Sequence, residues 1–468
     1  MIIEQIYTGC LAQGAYYIES NGEVAIIDPL REVQDYIDRA AKNNAKIKYI
    51  FETHFHADFV SGHVTLAERT GAKIVFGPSA KTNFDAIVAE DNQEFKVGDI
   101  TIKALHTPGH TMESTCYLLV DENGKDHAIF SGDTLFLGDV GRPDLAQKGD
   151  ITEKDLAGFL YDSLREKVMT LADDVIVYPA HGAGSACGKN LSKETVGTIG
   201  DQKKTNYALR ADMTKEEFVQ EVTDGLLPPP AYFPLNVKLN KEGYKDVQEV
   251  IKTAAKPLSP EEFEVVANET DAIIIDVRNQ DEFIKGFIPQ SIFIGLGGTF
   301  APWVGALVKD IQQPILLVTP EGKEEHTITR LSRVGFDNVL GYLKGGFTSW
   351  ESANKEVDSI PSVSATTLEQ KIEENALVFD VRKPGEYNSD HIEGVPNTPL
   401  DFINSHIAEF PTDKEFYVHC AGGYRSVIAA SILKARGYHN VIDVDQGYAD
   451  IMKTNIKRVV NACPSTLK

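Results

Sequence analysis

Short apolar runs alternate with segments of helical spacing along the first half of the chain. Residues 47–51 form an apolar run that predicts a buried strand, and residues 100–105 alternate between apolar and polar side chains as a half-buried strand does. Residues 33–43 have the three- and four-residue apolar spacing of an amphipathic helix. This pattern predicts an α/β protein.

Side chains that can bind a metal follow four of the predicted strands. Residues 53–59, directly after the first run, read Thr-His-Phe-His-Ala-Asp-Phe and place two imidazoles and a carboxylate at alternating positions. Imidazole and carboxylate groups are common protein ligands of zinc and iron. The candidate metal-site residues are His54, His56, Asp58, His110, Asp133 and His181.

This order of motifs resembles the metallo-β-lactamase superfamily, whose pattern is T-H-x-H-x-D-H followed by His, then Asp, then His. The resemblance covers roughly residues 1–240. It implies an αββα sandwich, two sheets flanked by helices, with the metal at one edge of the sheets.

One position departs from that pattern. Binuclear hydrolases of the superfamily carry His after the motif Asp, where it helps to hold a second metal, whereas this chain has Phe59. The positions that remain suited to one metal are His54, His110 and Asp133. Two imidazoles and one carboxylate form the facial triad of non-haem Fe(II) centres that activate O2. The set resembles the persulfide dioxygenase branch of the superfamily, which implies a single Fe(II) ion per chain.

The other polar groups of these motifs have two interpretations. We expect His56, Asp58 and His181 to orient water or the metal ligands from the second coordination sphere. In the alternative, they hold zinc in an ordinary hydrolase. His63 and His106 are predicted to be structural.

Two further segments lie close to these motifs in sequence. Residues 137–145 resemble the G-x-G-R-x-D-L segment of persulfide dioxygenases, and we expect Arg142 to pair with Asp144 and brace the loop. In the alternative, Arg142 contacts an anionic substrate. Cys187 either carries sulfane sulfur or fills space as a small buried thiol.

A repeat occupies the second half of the chain. Residues 273–283 and 376–387 share a strand, a D-V-R sequence and then E-F or E-Y. Each copy resembles a rhodanese domain. Residues 226–234, rich in Pro, predict a stiff arm before this half, because Pro cannot continue a regular helix. The predicted domains are residues 1–245, 256–357 and 362–468.

The two copies differ at the rhodanese active-site loop. In the second copy Cys420 opens a short loop, Arg425 ends it, and a helix is predicted at residues 427–436. Backbone N–H groups and the helix dipole favour a thiolate or a persulfide anion at Cys420, and Arg425 is placed to bind an oxyanion such as thiosulfate. The first copy has Pro320 and Glu325 at these positions, so we expect an inactive pseudo-rhodanese that serves as a scaffold or, alternatively, a regulatory site.

The net charge of the chain argues against two classes of binding partner. Lys and Arg number 46 against 69 Asp and Glu among 468 residues, a net charge of −23. This field repels phosphate backbones and anionic lipid, so neither nucleic acid nor a membrane is expected as a partner. The first residues show no basic segment followed by a long apolar one, so we expect no signal peptide, and no apolar run is long enough to span a bilayer. The five dispersed Cys favour reduced thiols. We expect a cytoplasmic protein and, by the resemblance, a homo-oligomer.

Together these features predict a persulfide dioxygenase with thiosulfate sulfurtransferase activity in sulfide detoxification. The resemblance implies that a low-molecular-weight thiol persulfide reacts with O2 at the iron and yields sulfite or thiosulfate. One alternative is a thioester hydrolase of the hydroxyacylglutathione hydrolase type with a rhodanese appendage. The other is a sulfur carrier or sensor that does no oxidation.

Overall fold

A computed structural model of the chain describes residues 1–147, 150–189 and 191–461. It divides into one unit of residues 1–249 with 332–335, and a second unit of residues 250–331 with the chain from 336 onward. The domain boundaries predicted from the sequence stay predictions. Among the described residues, every helix is too short or too polar to span a bilayer.

Two six-stranded sheets form the frame of the first unit. The strands of the first sheet, in spatial order, are β1 (Ile2–Thr8), β2 (Gln13–Ser20), β3 (Glu23–Ile27), β4 (Lys46–Phe51), β5 (Lys73–Phe76) and β6 (Ile87–Val88). β1 to β3 are antiparallel, whereas β3 to β6 run parallel. β4, which precedes the Thr-His-Phe-His motif, is therefore an internal strand with a parallel neighbour on each side.

The second sheet delivers the later motifs. Its strands are β7 (Glu94–Val97), β8 (Ile100–His106), β9 (Thr115–Val120), β10 (Asp126–Gly132), β11 (Ile176–Pro179) and β12 (Gly197–Thr198). They lie side by side in this order, and β10 and β11 are parallel, so both strands end at the same edge of the sheet.

Helices cover the outer faces of both sheets. Those of the first unit are α1 (Gln34–Lys42), α2 (His63–Thr70), α3 (Glu153–Ser163), α4 (Ile199–Thr205), α5 (Lys215–Thr223) and α6 (Phe233–Glu242); α7 (Val247–Ala254) crosses the division between the units. A π-helical turn at Leu164–Val168 and a 3-10 turn at Tyr207–Leu209 complete the helical segments.

The apolar core of the first unit is layered. One cluster lies between the sheets, with Phe51 from the first sheet and Phe130 from the second. A second cluster packs Tyr36 and Leu66 of the helices on the first sheet, and a third packs Leu160 against the second sheet. The predicted αββα sandwich is confirmed.

Two parallel sheets form the second unit, one for each copy of the repeat. The first copy has β13 (Pro257–Leu258), β14 (Ile273–Asp276), β15 (Ile292–Phe293), β16 (Ile315–Val318) and β17 (Val339–Leu343), in the spatial order β13-β17-β16-β14-β15. The second has β18 (Ser362–Val363), β19 (Leu377–Asp380), β21 (Phe416–His419) and β22 (Val441–Val444), in the spatial order β18-β22-β21-β19. β20 (Asp390–Ile392) pairs with β23 (Arg458–Val460). The common topology confirms two related α/β domains.

Ten short helices surround these two sheets in the described residues. The helices of the first copy are α8 (Pro260–Glu269), α9 (Gln280–Phe283), α10 (Phe300–Leu307), α11 (Glu324–Ser332) and α12 (Gly346–Ser352). The helices of the second copy are α13 (Ala365–Glu373), α14 (Pro384–Ser389), α15 (Ile403–His406), α16 (Tyr424–Ala435) and α17 (Gly447–Ile451), with 3-10 turns at Leu400–Phe402 and Ile407–Glu409.

Two helix starts differ from the sequence prediction. α16 begins at Tyr424 instead of residue 427, because Gly423 adopts a φ of 88° and serves as the N-cap. α6 begins at Phe233, so Pro234 lies in its first turn, where the missing N–H of a proline costs no helical hydrogen bond.

Asp443, on β22, is a buried acid beside the loop that follows β21. Its Oδ2 atom accepts a hydrogen bond from the Ser362 hydroxyl at 3.4 Å, and its Oδ1 atom has no partner among the described residues. Burial raises the pKa of Asp443 to about 7. The folded chain therefore keeps a proton that the unfolded chain loses above its ordinary pKa of 3.8, and stability falls as the pH rises from about 4 to 7.

We expect Asp443→Asn to remove this pH dependence, because an amide resembles the neutral acid. The melting temperature of Asp443→Asn minus that of the unchanged chain, measured by thermal unfolding, should be larger at pH 8 than at pH 5. Asp413→Asn, which alters an exposed carboxylate of the same domain, is the control. Equal gains at both pH values would contradict the prediction.

Candidate functional site

Two groups of buried side chains able to bind metal lie beyond the carboxyl ends of β4, β10 and β11. The ligand atoms within each group lie within 4.8 Å of one another. The first group is His54, His110 and Asp133, and the second is His56, Asp58 and His181. These residues come from distant parts of the sequence, since β4 belongs to the first sheet, β10 and β11 belong to the second, and His110 lies in the loop between β8 and β9.

Backbone carbonyls orient two of the imidazoles. His110 Nδ1 lies 2.8 Å from the Arg142 carbonyl oxygen, and His181 Nδ1 lies 3.2 Å from the Ala12 carbonyl oxygen. A carbonyl can only accept, so Nδ1 carries the proton in both rings. The lone pair of the neutral ring is then on Nε2, the atom that faces the pocket.

His54 is oriented by a chain of hydrogen bonds. The Thr53 hydroxyl donates to Asp28 Oδ2 at 2.8 Å, and His54 Nδ1 lies 3.0 Å from the same hydroxyl oxygen, which accepts from it. Burial first, and then the neighbouring imidazoles, hold the pKa of His54 well below its ordinary value. His54 is therefore neutral, as a metal ligand must be.

The Asp133 carboxylate lies close to imidazoles of both groups. Its Oδ2 atom lies 3.4 Å from His110 Nε2 and 3.9 Å from His54 Nε2, and its Oδ1 atom lies 3.5 Å from His181 Nε2. Neither oxygen accepts a hydrogen bond from any described residue, although Asp133 is only 2% exposed. An isolated buried carboxylate is unfavourable, so these oxygens and the facing Nε2 atoms fit a cation.

His56 is held differently from the other three imidazoles. Its Nε2 atom lies 3.0 Å from Asp28 Oδ1 and 3.6 Å from Glu52 Oε2. Burial opposes protonation, but the Asp28 and Glu52 carboxylates raise the pKa of His56 to about 9. His63, at the start of α2, places Nδ1 3.4 Å from Glu52 Oε1. Asp28, Glu52 and His56 also lie close enough together to hold a cation.

Phe59 lies at the position where the resemblance described above implies a His ligand in binuclear hydrolases. Its ring is fully buried, and its centroid lies 4.4 Å from that of the His56 ring. Because this ring has no lone pair, Phe59 cannot add a ligand to the group of His56, Asp58 and His181.

Arg142 connects three segments around the first group. Its guanidinium donates two hydrogen bonds to Asp144, at 2.6 and 2.7 Å, and a third to the Leu227 carbonyl at 2.6 Å. Its backbone N–H donates to the Cys187 carbonyl at 3.0 Å. The guanidinium is thus engaged in bracing contacts, including one with the proline-rich arm.

Cys187 lies beside the metal-binding residues. A ligand atom of Cys187 lies within 4.8 Å of those of Asp133 and His181. Burial, followed by the charges of Asp58 and Asp133, raises the pKa of Cys187 well above its ordinary value. His106, in contrast, lies outside these groups and places Nε2 2.9 Å from the Met112 carbonyl oxygen.

Asn240, on α6, fastens the loop that carries the metal-binding motif, and the sequence analysis missed it. Its Nδ2 atom donates to the carbonyls of His56 and Phe59 at 2.8 and 2.9 Å, and its Oδ1 atom accepts from Ser61 N at 2.9 Å. The sequence contains a signal for this role, because Asn240 and Asn236 lie on the same helical face as the apolar Phe233, which indicates that they are buried.

The Cys420 loop lies between β21 and α16 in the second copy of the repeat. Cys420 is 1% exposed, and its Sγ atom accepts a hydrogen bond from Gly423 N at 3.2 Å. Arg425 lies in the first turn of α16 and forms two hydrogen bonds with Glu386, at 2.6 and 2.8 Å. The guanidinium thus has a fixed orientation next to the loop.

The corresponding loop of the first copy has no thiol. Pro320 follows β16, and Glu325 lies on α11; both are exposed. This loop therefore offers neither a sulfur nucleophile nor a guanidinium for an anion. Cys463 lies outside the described residues, Cys10 is partly exposed and Cys116 is buried.

Comparisons with known proteins agree with this architecture. Residues 8–181 match the model of the metallo-beta-lactamase superfamily, and residues 259–353 and 364–454 match that of the rhodanese-like domain. A crystal structure of a metallo-beta-lactamase from Staphylococcus aureus subsp. aureus COL is 30% identical, with a TM-score of 0.65 over 74% of this chain and 98% of that chain.

Two relatives that are named for different activities have similar sequence identity to this chain. The probable hydroxyacylglutathione hydrolase glo2 of Schizosaccharomyces pombe is 31% identical over 39% of this chain and 75% of its own length. The mitochondrial persulfide dioxygenase ETHE1 of Homo sapiens is 28% identical over 47% of this chain and 78% of its own length. Similarity alone therefore does not choose between hydrolysis and oxidation.

We expect Asn240→Ala to lower the free energy of unfolding by about 3 kcal/mol or more, because it leaves three buried backbone groups without their partners. It should also reduce the metal bound by the purified protein, measured by elemental analysis, because the loop of His54 to Asp58 loses its anchor. Urea unfolding provides the stability measurement.

The matched control is Asn236→Ala, one turn earlier on α6. Asn236 is equally buried, but its side chain makes no hydrogen bond with the described residues. This control removes volume without removing a hydrogen bond. Equal losses of metal in the two variants would contradict the anchoring role of Asn240.

Proposed function

We propose an oxidative function in sulfur metabolism for this chain, which belongs to the metallo-beta-lactamase superfamily and carries two rhodanese-like domains after its metal-binding domain. In this proposal it is a persulfide dioxygenase and thiosulfate sulfurtransferase. Its substrates are a low-molecular-weight thiol persulfide and O2, and its product is sulfite or thiosulfate.

The observation that carries the proposal is the set of groups around Asp133. His54, His110 and Asp133 supply two imidazoles and one carboxylate, the facial triad of non-haem Fe(II) centres, and Phe59 supplies an inert ring where a second ion would need a ligand. The Cys420 loop in the same chain adds sulfur chemistry, which a thioester hydrolase does not require.

The overall oxidation is balanced with one persulfide anion, one O2 and one water. The persulfide S–S bond breaks, its outer sulfur is oxidised to sulfite, the thiolate is released and two protons leave. Iron held by His54, His110 and Asp133 would supply the redox chemistry that O2 activation needs. The chain's own side chains bind the reactants and exclude bulk water, and burial keeps the His54 imidazole neutral.

The residues around the triad have distinct roles in this proposal. The Arg142 carbonyl and the Thr53 hydroxyl keep the Nε2 atoms of His110 and His54 directed to the pocket. His56, Asp58 and His181 orient water or substrate from the other side. Cys187 lies at the pocket wall, where it can receive sulfane sulfur from the substrate.

Sulfur transfer takes place at Cys420. Its thiolate attacks the outer sulfur of thiosulfate, the S–S bond of thiosulfate breaks, and sulfite leaves with the electron pair. An acceptor thiolate then attacks the outer sulfur of the resulting Cys420 persulfide and releases the Cys420 thiolate. The product is a low-molecular-weight persulfide, the substrate of the oxidation.

A specific observation also supports hydrolysis as a second candidate. His56, Asp58 and His181 are close enough to bind a metal themselves, and the glo2 relative is a probable hydroxyacylglutathione hydrolase. In that case the protein holds two zinc ions and cleaves thioesters. Metal content and substrate tests distinguish the two functions.

We expect the purified protein to bind about one iron ion per chain and to consume O2 with glutathione persulfide as substrate. Phe59→His should raise the bound metal to about two ions per chain, because it adds an imidazole beside Asp58 and His181. Elemental analysis and an oxygen electrode provide the measurements.

Phe59→Leu is the matched control, since a leucine also lacks a lone pair and should leave the metal content unchanged. Two zinc ions in the unchanged protein, together with thioester hydrolysis and no O2 uptake, would favour the hydrolase. A protein without bound metal would instead favour a carrier or sensor.

We expect Cys420→Ser to abolish thiosulfate sulfurtransferase activity and to spare O2 consumption, because the two reactions use different groups. Asp133→Ala should have the opposite effect and lose iron and O2 uptake while sulfur transfer continues. Assays of both activities on both variants provide the test. Persistence of sulfur transfer in Cys420→Ser would exclude Cys420 as the nucleophile.

A further inference from the structure

We propose that the rhodanese-like domain without a thiol, formed by β13 to β17 and called the silent domain below, positions the Cys420 loop of its neighbour through Tyr424. This inference rests on the proposed sulfurtransferase role of Cys420. It gives the silent domain a part in the reaction beyond spacing the other domains. Tyr424 is then a positioning residue, since it acts through the loop rather than on the substrate.

Tyr424 immediately follows the N-cap Gly423 and contacts the silent domain. Its hydroxyl donates to the Gly295 carbonyl at 2.7 Å. Its ring packs edge-on against Phe293, with 5.6 Å between the ring centroids. Gly298 lies directly against the same ring, because a Cβ atom added at Gly298 would come within 2.5 Å of Tyr424 Cζ.

The silent domain provides a firm surface for this contact. Arg330 of the silent domain donates to the Leu296 carbonyl at 2.7 Å and to the Gly298 carbonyl at 3.2 Å. These bonds fix the glycine-containing segment that receives Tyr424. A second contact lies further along α16, where Phe293 N donates to the Ser431 hydroxyl oxygen at 3.0 Å.

The N-terminal end of α16, which Tyr424 attaches to the silent domain, is also the end that contacts the Cys420 sulfur. Gly423 N donates to Cys420 Sγ, and Tyr424 is the next residue, so a shift of Tyr424 moves this donor. Arg425, the following residue, carries the guanidinium that is paired with Glu386. One tyrosine contact thereby fixes the position of the sulfur's hydrogen-bond donor and of the cation beside it.

The silent domain offers a matched pair of substitutions that leave the second copy unchanged in sequence. A Cβ atom at Gly298 would collide with the Tyr424 ring, whereas one at the adjacent Gly297 would meet nothing within 4 Å. Neither glycine has a positive φ, so alanine fits the backbone at both positions. The difference between Gly298→Ala and Gly297→Ala therefore isolates the contact with Tyr424.

The test uses the full-length protein with thiosulfate as sulfur donor and cyanide as acceptor. We expect Gly298→Ala to lower kcat/KM about tenfold and Gly297→Ala to leave it unchanged, because a misplacement of about 1 Å near a reacting group can cost up to about a hundredfold. Tyr424→Phe, which keeps the ring but loses the hydroxyl, should lie between them. Thermal unfolding checks that the variants are folded.

A second measurement detects a change at the sulfur itself. The rate of Cys420 alkylation by iodoacetamide, followed against pH by mass spectrometry, should shift to higher pH in Gly298→Ala, since the Gly423 N–H no longer stabilises the thiolate. If the Tyr424 contact only stabilised the fold, Gly298→Ala would lower the melting temperature and leave the pH profile of alkylation unchanged.

The outcomes separate the two proposals. Absence of Cys420-dependent transfer in the unchanged protein would refute the proposed sulfurtransferase function, on which this inference rests. Normal transfer together with equal kinetics and equal alkylation profiles in Gly298→Ala and Gly297→Ala would refute the positioning role and leave the proposed function intact. Loss of activity in Gly298→Ala alone, with a shifted profile, supports both proposals.

Discussion

The buried carboxylate of Asp133 is the constraint on which the metal-binding half of the protein depends. It has no hydrogen-bond donor among the described residues, and three imidazole Nε2 atoms face it at 3.4 to 3.9 Å. Positive charge between these atoms would stabilise this arrangement, because it would offset the cost of burying the carboxylate. The carbonyls and the hydroxyl that contact the Nδ1 atoms orient these rings, and α6 and the Arg142 contacts keep the loops in place.

In the second half of the chain the reactive group is Cys420, which lies in a short loop between the end of a strand and the start of a helix. The candidate metal-binding residues likewise lie in loops that follow strands. Cys420 follows β21 as His54 follows β4 by a few residues, and Cys420 additionally lies before the start of α16. The chain thus holds a candidate metal site and a thiol-bearing loop on two unrelated α/β folds. In our proposal the product of one site is consumed at the other.

The sequence was sufficient for features that depend on local order along the chain. The strands before the motifs, the αββα sandwich and the repeated α/β domains follow from apolar periodicity and from motif resemblance. Features that depend on distant partners were not accessible. Asn240 is an ordinary polar residue in the sequence, and only tertiary packing gives it three backbone partners. The start of α16 depends on the φ of Gly423, which an apolar pattern cannot reveal.

The position of Asn240 has a consequence for how the protein matures in the cell. The carbonyl of His56 accepts its hydrogen bond from a side chain 184 residues further along the chain. During translation the motif therefore leaves the ribosome long before its anchor does. The loop can therefore reach its final hydrogen-bonded form only after α6 has emerged and docked.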